Sequence, residues 1–184
     1  MREAAKTDCK HIIHLSSAAI GIDHLIIQMP RFQESFREYL WEHRDPRDLP
    51  GLLSHIALGL KELHLMGYVH RDLKPENVMV SFKPLKAVLI DFNRAYPLTQ
   101  STKGTVRGTE GYFPEKDDLR DGSTKWDIWA LGAMILEADL DRNEYLRVNN
   151  ERGTNFHATK HLRDGKPCAG VAAIIKGTVL VGDI

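Results

Sequence analysis

One short stretch of the chain restricts the possible folds more than any other. It runs from Tyr68 to Val80 and reads YVHRDLKPENVMV. The apolar residues at its ends predict two brief strands, and Pro75 between them excludes a continuous helix. The residues in between bring carboxylates, cations and an amide close together. A polar loop of this density, held by strands, is typical of a functional site.

The loop matches a known catalytic pattern. His70–Leu73 followed by Asn77 fills every fixed position of H-R-D-L-x-x-x-N, the catalytic-loop pattern of protein kinases. The next apolar strand ends in Asp91-Phe92-Asn93, which resembles the family's metal-binding Asp-Phe-Gly. Gly108–Glu115 is similar to the end of an activation segment, and Trp126–Gly132 resembles the D-x-W-x-x-G of the family's central helix. In this order and spacing, the matches resemble a eukaryotic-type protein kinase with a Ser/Thr-type catalytic loop.

The resemblance implies the fold. A protein-kinase-like chain is α+β, with a mainly α-helical large lobe and, here, a remnant of the small-lobe β-sheet. Residues 1–184 are expected to form a single partial domain. Within it, residues 1–30 would form the small-lobe remnant and the hinge, 31–140 the large-lobe core, and 141–184 a divergent C-terminal segment.

Hydrophobic patterning predicts the individual elements. Apolar runs at His11–Leu15 and Leu25–Met29 predict an antiparallel strand pair, and Phe32–Trp41 has helical spacing. The clearest helix opens at Leu49, and Gly67 is its predicted left-handed cap. A second helix is expected from Ser123 or Thr124 to about residue 138. The predicted buried stripe of the first long helix consists of Leu53, Ile56, Leu60 and Leu63.

The resemblance also assigns roles to side chains of the reaction centre. Asp72 would be the base that accepts the proton of the substrate hydroxyl. Asn77 and Asp91 would hold Mg²⁺, for which hard oxygen ligands are suited. Lys74 would meet the γ-phosphate of ATP, and Thr109 would tie the activation segment to the base.

Further roles concern the nucleotide pocket and the core. Gln28-Met29-Pro30-Arg31 would be the hinge, where backbone groups meet the adenine of ATP, and Ile27 would guard the back of that pocket. Ile27 and Met29 also fit an ordinary apolar core, and both interpretations can hold because an adenine pocket is itself apolar. The resemblance implies that Asp127 in the second long helix binds the backbone of the catalytic loop. A buried carboxylate without a partner carries a large penalty, so some partner is expected in any case.

The sequence departs from the family pattern at two places. Asn93 stands where glycine normally adopts positive φ, and asparagine is the best non-glycine substitute for that conformation. Neither G-x-G-x-x-G-x-V nor a V-A-I-K lysine precedes His11. A partner or an upstream segment is therefore expected to complete the small lobe.

Composition narrows the class of partner. Lys plus Arg equals Asp plus Glu, at 25 each, so no net charge favours nucleic acid or a membrane surface. The apolar run Val171–Val181 is too short to span a bilayer. The two cysteines are too few for a disulfide framework. An intracellular protein, cytoplasmic or nuclear, with a protein substrate is the expectation.

Three functions remain open. A Ser/Thr protein kinase is favoured by the intact set Asp72, Lys74, Asn77 and Asp91. A catalytically impaired kinase-like scaffold, or pseudokinase, is favoured by the missing phosphate-covering hairpin. A phosphotransferase for small molecules fits less well, because Thr109–Glu115 resembles a peptide-docking segment.

Phosphorylation of this chain is hypothesised on one of four residues, where the phosphate would pair with Arg71. The four residues are Thr99, Ser101, Thr102 and Thr105.

Overall fold

The central feature of the described structure is a long helix packed against a three-stranded sheet. The computed structural model describes residues 9–99, 108–109, 111–112, 123–140 and 142–144. The structure contains both helices and small antiparallel sheets, which confirms the predicted α+β class. The helices are α1 (Phe36–Glu38), α2 (Leu49–Leu65) and α3 (Thr124–Asp139). The strands are β1 (Ser17–Ile20), β2 (Leu25–Gln28), β3 (Glu34–Ser35), β4 (Tyr68–Val69), β5 (Val78–Phe82), β6 (Leu85–Leu89) and β7 (Tyr96–Pro97).

Helix α2 forms because its sequence gives it one apolar face. Pro50 lies in the first turn, where backbone N–H groups have no acceptor within the helix, so the missing N–H of proline costs no hydrogen bond. Past the end, Gly67 takes φ of +80°, a left-handed conformation that glycine adopts without steric cost. The predicted stripe and cap are confirmed. The buried residues of the helix are Leu49, Leu52, Leu53, Ile56, Gly59, Leu60 and Leu63.

Gly59 is the point of closest approach between α2 and its neighbours. A Cβ atom there would lie 2.7 Å from the carbonyl oxygen of His11 and 3.0 Å from Cδ1 of Leu89. We expect Gly59→Ala to lower the free energy of unfolding by about 1–3 kcal/mol through overpacking, as measured by urea denaturation. Gly51→Ala, in the same helix with no atom within 4 Å, is expected to raise it by about 0.5–1 kcal/mol. Equal stabilisation by both variants would contradict this close approach.

The three-stranded sheet is antiparallel, in the order β3-β5-β6. A turn at Lys83 and Pro84 joins β5 to β6, as predicted, and sets Val78 opposite Leu89. The two predicted strands around the polar loop are confirmed as β4 and β5, but they do not pair with each other. Strand β4 pairs with β7, so both ends of the loop are held by different partners.

The N-terminal strand pair begins later than predicted. Strands β1 and β2 are antiparallel, with Ala18 opposite Ile27, which confirms the second predicted strand but not the first at His11–Leu15. Ile12 and Ile13 are instead buried beside β6, where the N–H of Ile13 donates to the carbonyl oxygen of Leu89 at 2.9 Å. A short apolar run does not reveal which neighbour it will pair with, which is why the prediction was wrong.

Helix α1 also begins later than the predicted Phe32. Ser35 is its N-cap, and a capping box joins Ser35 to Glu38 in both directions. The residues just before it belong to the sheet, since the N–H of Gln33 donates to the carbonyl oxygen of Val80 at 3.2 Å. The helical path continues beyond α1 as a wider π-helical turn over Tyr39–His43.

Helix α3 confirms the second predicted long helix. Its N-cap is Ser123, whose hydroxyl accepts a hydrogen bond from the N–H of Lys125. Most of its side chains are buried, including Trp126 and Met134. In the part of the chain that the structure describes, no helix has both the length and the apolar character needed to cross a membrane. The predicted C-terminal segment, apart from residues 142–144, lies outside the described residues.

Candidate active site

The polar loop holds an uncommon backbone conformation. Arg71, with φ of 67°, and Asp91, with φ of 59°, are left-handed although neither is glycine. Residues with a Cβ atom pay a steric cost in this region, and they occur mainly at functional sites where other contacts hold them. Arg71 immediately precedes Asp72 in the chain. The two left-handed positions are therefore Asp91 itself and the residue directly before Asp72, the two carboxylates that the sequence singled out.

Asp127 of helix α3 fixes the start of the loop. Its carboxylate accepts hydrogen bonds from the backbone N–H of His70 at 2.8 Å and of Arg71 at 2.9 Å. Asp127 is fully buried, and His64 of helix α2 lies 2.8 Å from the same carboxylate through Nε2. The predicted contact between Asp127 and the loop backbone is confirmed. The third partner, His64, was not anticipated from sequence.

Asp72 is the carboxylate at the centre of the site. It is 8% exposed, and its Oδ1 accepts a hydrogen bond of 2.9 Å from the hydroxyl of Thr109. Lys74 donates to that same hydroxyl at 2.9 Å and lies 3.7 Å from Asp72 Oδ2. Arg94 lies 3.6 Å from Oδ1. The fold therefore brings Thr109, which is 37 positions away in the sequence, onto the pair Asp72 and Lys74 of the polar loop.

Asn77 and Asp91 lie at one end of the β5–β6 hairpin. The N–H of Ile90 donates to the carbonyl oxygen of Asn77 at 3.0 Å, which places Asp91 next to Asn77 across the hairpin. The amide Nδ2 of Asn77 donates to the carbonyl oxygen of Asp72 at 2.7 Å. This bond leaves the amide Oδ1 of Asn77 as the group available to a cation.

These two residues suit a magnesium ion bound together with phosphate. Asp91 is exposed and offers a carboxylate, and Asn77 offers an amide oxygen. Mg²⁺ typically binds through one or two carboxylates plus waters and substrate phosphates, not in a dedicated protein cage. The described residues contain no group of three or more His, Cys, Asp and Glu side chains that could hold a metal ion.

Phe92 and His70 connect the two halves of the site. Their rings lie 5.1 Å apart, and Nε2 of the fully buried His70 is 3.1 Å from the carbonyl oxygen of Ile90. Asn93 does not adopt the positive φ expected from the glycine pattern; it lies in a 3₁₀ turn over Phe92–Arg94, and Asp91 carries the left-handed conformation instead. Asn93 therefore does not need the conformational freedom that glycine has at positive φ.

The predicted adenine-binding residues lie on the N-terminal hairpin. Ile27 is 39% exposed and Met29 is 49% exposed, so neither fills an apolar core among the described residues. Oε1 of Gln28 accepts a hydrogen bond from the hydroxyl of Ser17 at 2.9 Å. No hydrogen bond or ion pair between described residues joins this hairpin to the cluster around Asp72.

A second polar cluster near the site was not predicted. Glu137 of helix α3 is fully buried and pairs with Arg37 of α1 and with the hydroxyl of Tyr112. Arg37 also donates to Tyr112 at 2.7 Å and to Glu76 of the polar loop at 2.8 Å. Burial raises the pKa of Glu137. Burial and the neighbouring Glu137 raise the pKa of Tyr112 far above its usual value, so the phenol stays protonated and donates.

Sequence patterns gave little warning of this cluster. Arg37 and Glu137 are 100 positions apart, and each belongs to an element whose helical pattern is complete without it. The one available signal was Glu137 itself, a carboxylate on a buried apolar helix, since such a group requires a partner.

The hypothesised phosphorylation sites are only partly described. Thr99 is exposed after strand β7, whereas Ser101, Thr102 and Thr105 lie outside the described residues. The guanidinium of Arg71 lies 5.2 Å from the ring centre of Tyr96 in that strand. This stacking is a favourable cation–π contact that holds the arginine side chain against β7.

Comparison with known proteins places the whole site in one family. Residues 1–165 match the protein kinase domain. The chain is 40% identical over 85 residues to mitogen-activated protein kinase kinase kinase 8 of Rattus norvegicus, a stretch covering 45% of the chain and 18% of that protein. It is 32% identical over 119 residues to serine/threonine-protein kinase nekl-2 of Caenorhabditis elegans, covering 63% of the chain and 32% of that protein.

Another relative gives the same result. Serine/threonine-protein kinase Nek5 of Mus musculus is 39% identical over 105 residues, covering 55% of the chain and 16% of that protein. The matched part of the chain thus spans about a third or less of the length of these curated relatives.

Proposed function

The chain belongs to the protein kinase family, and from that premise we propose that it transfers the γ-phosphoryl group of ATP to a serine or threonine hydroxyl of a protein substrate. In this reaction the bond between the γ-phosphorus and the β–γ bridging oxygen breaks. A bond forms between phosphorus and the acceptor oxygen, the hydroxyl proton passes to a carboxylate, and ADP leaves.

The observation that carries the proposal is the environment of Asp72. Its carboxylate is held by Thr109, which in turn is held by Lys74 at 2.9 Å. A carboxylate held in this way is already oriented by Thr109 before it accepts the proton of an acceptor hydroxyl, which is how a positioned carboxylate assists transfer. Lys74 would neutralise charge on the migrating phosphoryl group from the Oδ2 side of the carboxylate.

Asn77 and Asp91 are the proposed magnesium ligands. Mg²⁺, when bound with ATP, supplies positive charge that neutralises the phosphates. The contribution of this chain is geometric: the hydrogen bond from Ile90 to Asn77 holds the two ligands together, and the bond from Asn77 to the backbone of Asp72 ties them to the base. Backbone groups of Gln28 and Met29, with the side chain of Ile27, are proposed to meet the adenine.

A kinase-like scaffold remains the second candidate. The observation that favours it is the exposure of the N-terminal hairpin, all of whose strand residues are exposed in β1 and β2. A nucleotide pocket with its proposed adenine residues this open would hold ATP weakly. The scaffold would then use the large lobe as a docking surface for other proteins.

Thermal unfolding with and without ATP and Mg²⁺ separates the two candidates. At a free nucleotide concentration of about 100 times Kd, binding stabilises a protein by about 2.7 kcal/mol, which raises Tm by roughly 5–10 °C for a chain of this size. We expect such a rise for the unmodified chain and its near loss in Asp91→Asn. Asp23→Asn is the matched control, because Asp23 is 87% exposed and, within the described part of the chain, pairs only with the neighbouring His24.

Two results would count against parts of this proposal. An unmodified chain whose Tm does not respond to millimolar ATP and Mg²⁺ would favour the scaffold. An equal response in the chain and in Asp91→Asn would remove Asp91 from the proposed metal site.

A further inference from the structure

Arg94 is a cation of the site to which the family pattern assigns no role. It closes the 3₁₀ turn that follows Asp91, and its guanidinium Nη1 lies 3.6 Å from Oδ1 of Asp72. The Arg94 side chain is 44% exposed, whereas that of Asp72 is 8% exposed. The guanidinium is therefore the solvent-accessible member of this pair.

The contact between Arg94 and Asp72 is loose. At 3.6 Å it is longer than a hydrogen bond between a nitrogen and an oxygen, so it is an ion pair without a directed bond. Ion pairs with an exposed partner contribute little to stability, so the protein loses little when the guanidinium moves to another anion. Oδ1 of Asp72 already has a hydrogen-bond donor in Thr109 and does not depend on Arg94.

The charges around Asp72 are arranged on two sides. Lys74 lies nearest Oδ2 and Arg94 nearest Oδ1, so the described residues place one cation beside each oxygen. Lys74 is committed to Thr109 through a hydrogen bond of 2.9 Å and its side chain is 23% exposed. Arg94 is the more exposed of the two, and its planar guanidinium matches two oxygens of a phosphate at once.

We propose that Arg94 is a phosphate-binding residue of this site. The inference rests on the proposed function and deepens it. When nucleotide binds, the guanidinium leaves Asp72 for the terminal phosphate and neutralises it from the side opposite Lys74. The same movement frees Oδ1 of Asp72 to receive the acceptor hydroxyl. Arg94 thus selects a nucleotide that carries a γ-phosphate over one that does not.

The test compares two nucleotides on the full chain. Affinity is measured by isothermal titration calorimetry for the non-hydrolysable ATP analogue AMP-PNP and for ADP, each with Mg²⁺. Removing a hydrogen bond between charged groups typically weakens binding about 10-fold or more. We expect Arg94→Ala to weaken AMP-PNP binding by that factor and ADP binding by less than about twofold, and we expect Arg94→Lys to restore part of the loss.

Arg47→Ala is the matched control. Arg47 is an arginine with an 89% exposed side chain that pairs with Asp45, and its removal is expected to leave both affinities unchanged. If the unmodified chain binds both nucleotides and Arg94→Ala binds AMP-PNP as tightly or more tightly, the role of Arg94 is overturned while the proposed function stands. If the unmodified chain binds neither nucleotide, both are overturned.

Discussion

Asp72→Asn is expected to lower the rate of phosphoryl transfer to protein about 10²- to 10⁴-fold, the usual contribution of a positioned general base. The substitution keeps the shape of the side chain, and the amide oxygen still accepts the hydrogen bond from Thr109 that the carboxylate accepts at 2.9 Å. What is lost is the capacity to take the proton of the acceptor hydroxyl. The measurement is the initial rate of transfer of radiolabelled phosphate from ATP to a general protein substrate.

The same preparation provides the control for Asp72→Asn. Its Tm with ATP and Mg²⁺ should rise as that of the unmodified chain does, because Asn77 and Asp91 are unchanged and the fold is retained. Asp23→Asn, altered at an exposed carboxylate, should transfer phosphate at the rate of the unmodified chain. A variant Asp72→Asn with an undiminished rate would show that Asp72 is not the base.

Asp127→Ala is expected to destabilise the fold by about 3–5 kcal/mol, because it leaves buried hydrogen-bond donors without an acceptor. The donors are the backbone N–H groups of His70 and Arg71, and the ring of His64 loses its partner as well. A loss of this size is a large fraction of the total stability of a domain, about 5–15 kcal/mol. Urea denaturation of the full chain measures it.

Two comparison variants show whether the hydrogen bonds cause the effect. Asp127→Asn keeps the side-chain volume but replaces one acceptor oxygen with a donor, so it should also destabilise, by a smaller amount. Asp23→Ala removes an exposed carboxylate and should change stability by less than about 0.5 kcal/mol. If Asp127→Asn were as stable as the unmodified chain, the lost volume and not the lost acceptors would explain the alanine variant.

Local patterns predicted the long helices well. The spacing of Leu53, Ile56, Leu60 and Leu63 located helix α2, and Gly67 marked its end. These features depend on residues within one or two turns of each other, so the sequence contains all the information needed. The cost of burying a carboxylate predicted that Asp127 would have a partner, and the family resemblance correctly identified that partner as the loop backbone.

Pairing between distant segments was predicted less well. The run Ile12-Ile13 was apolar enough for a strand, but its neighbour proved to be Leu89 and not the following hairpin. Phe32 fitted a helical spacing, yet the hydrogen bond from Gln33 to Val80 keeps that segment in the sheet until Ser35 caps helix α1. In both places a long-range contact overrode the local pattern.

The sequence by itself determined the family, the two long helices and the identity of the polar loop, because these follow from ordered motifs and from periodic burial along the chain. Tertiary structure decided which side chains meet. It set Arg94 beside Asp72, His64 on Asp127, and Arg37 against Glu137. These contacts depend on how α1, α2 and α3 pack around the sheet. Hydrophobic periodicity does not show which distant residue a charged side chain will contact, because only tertiary packing brings the two together.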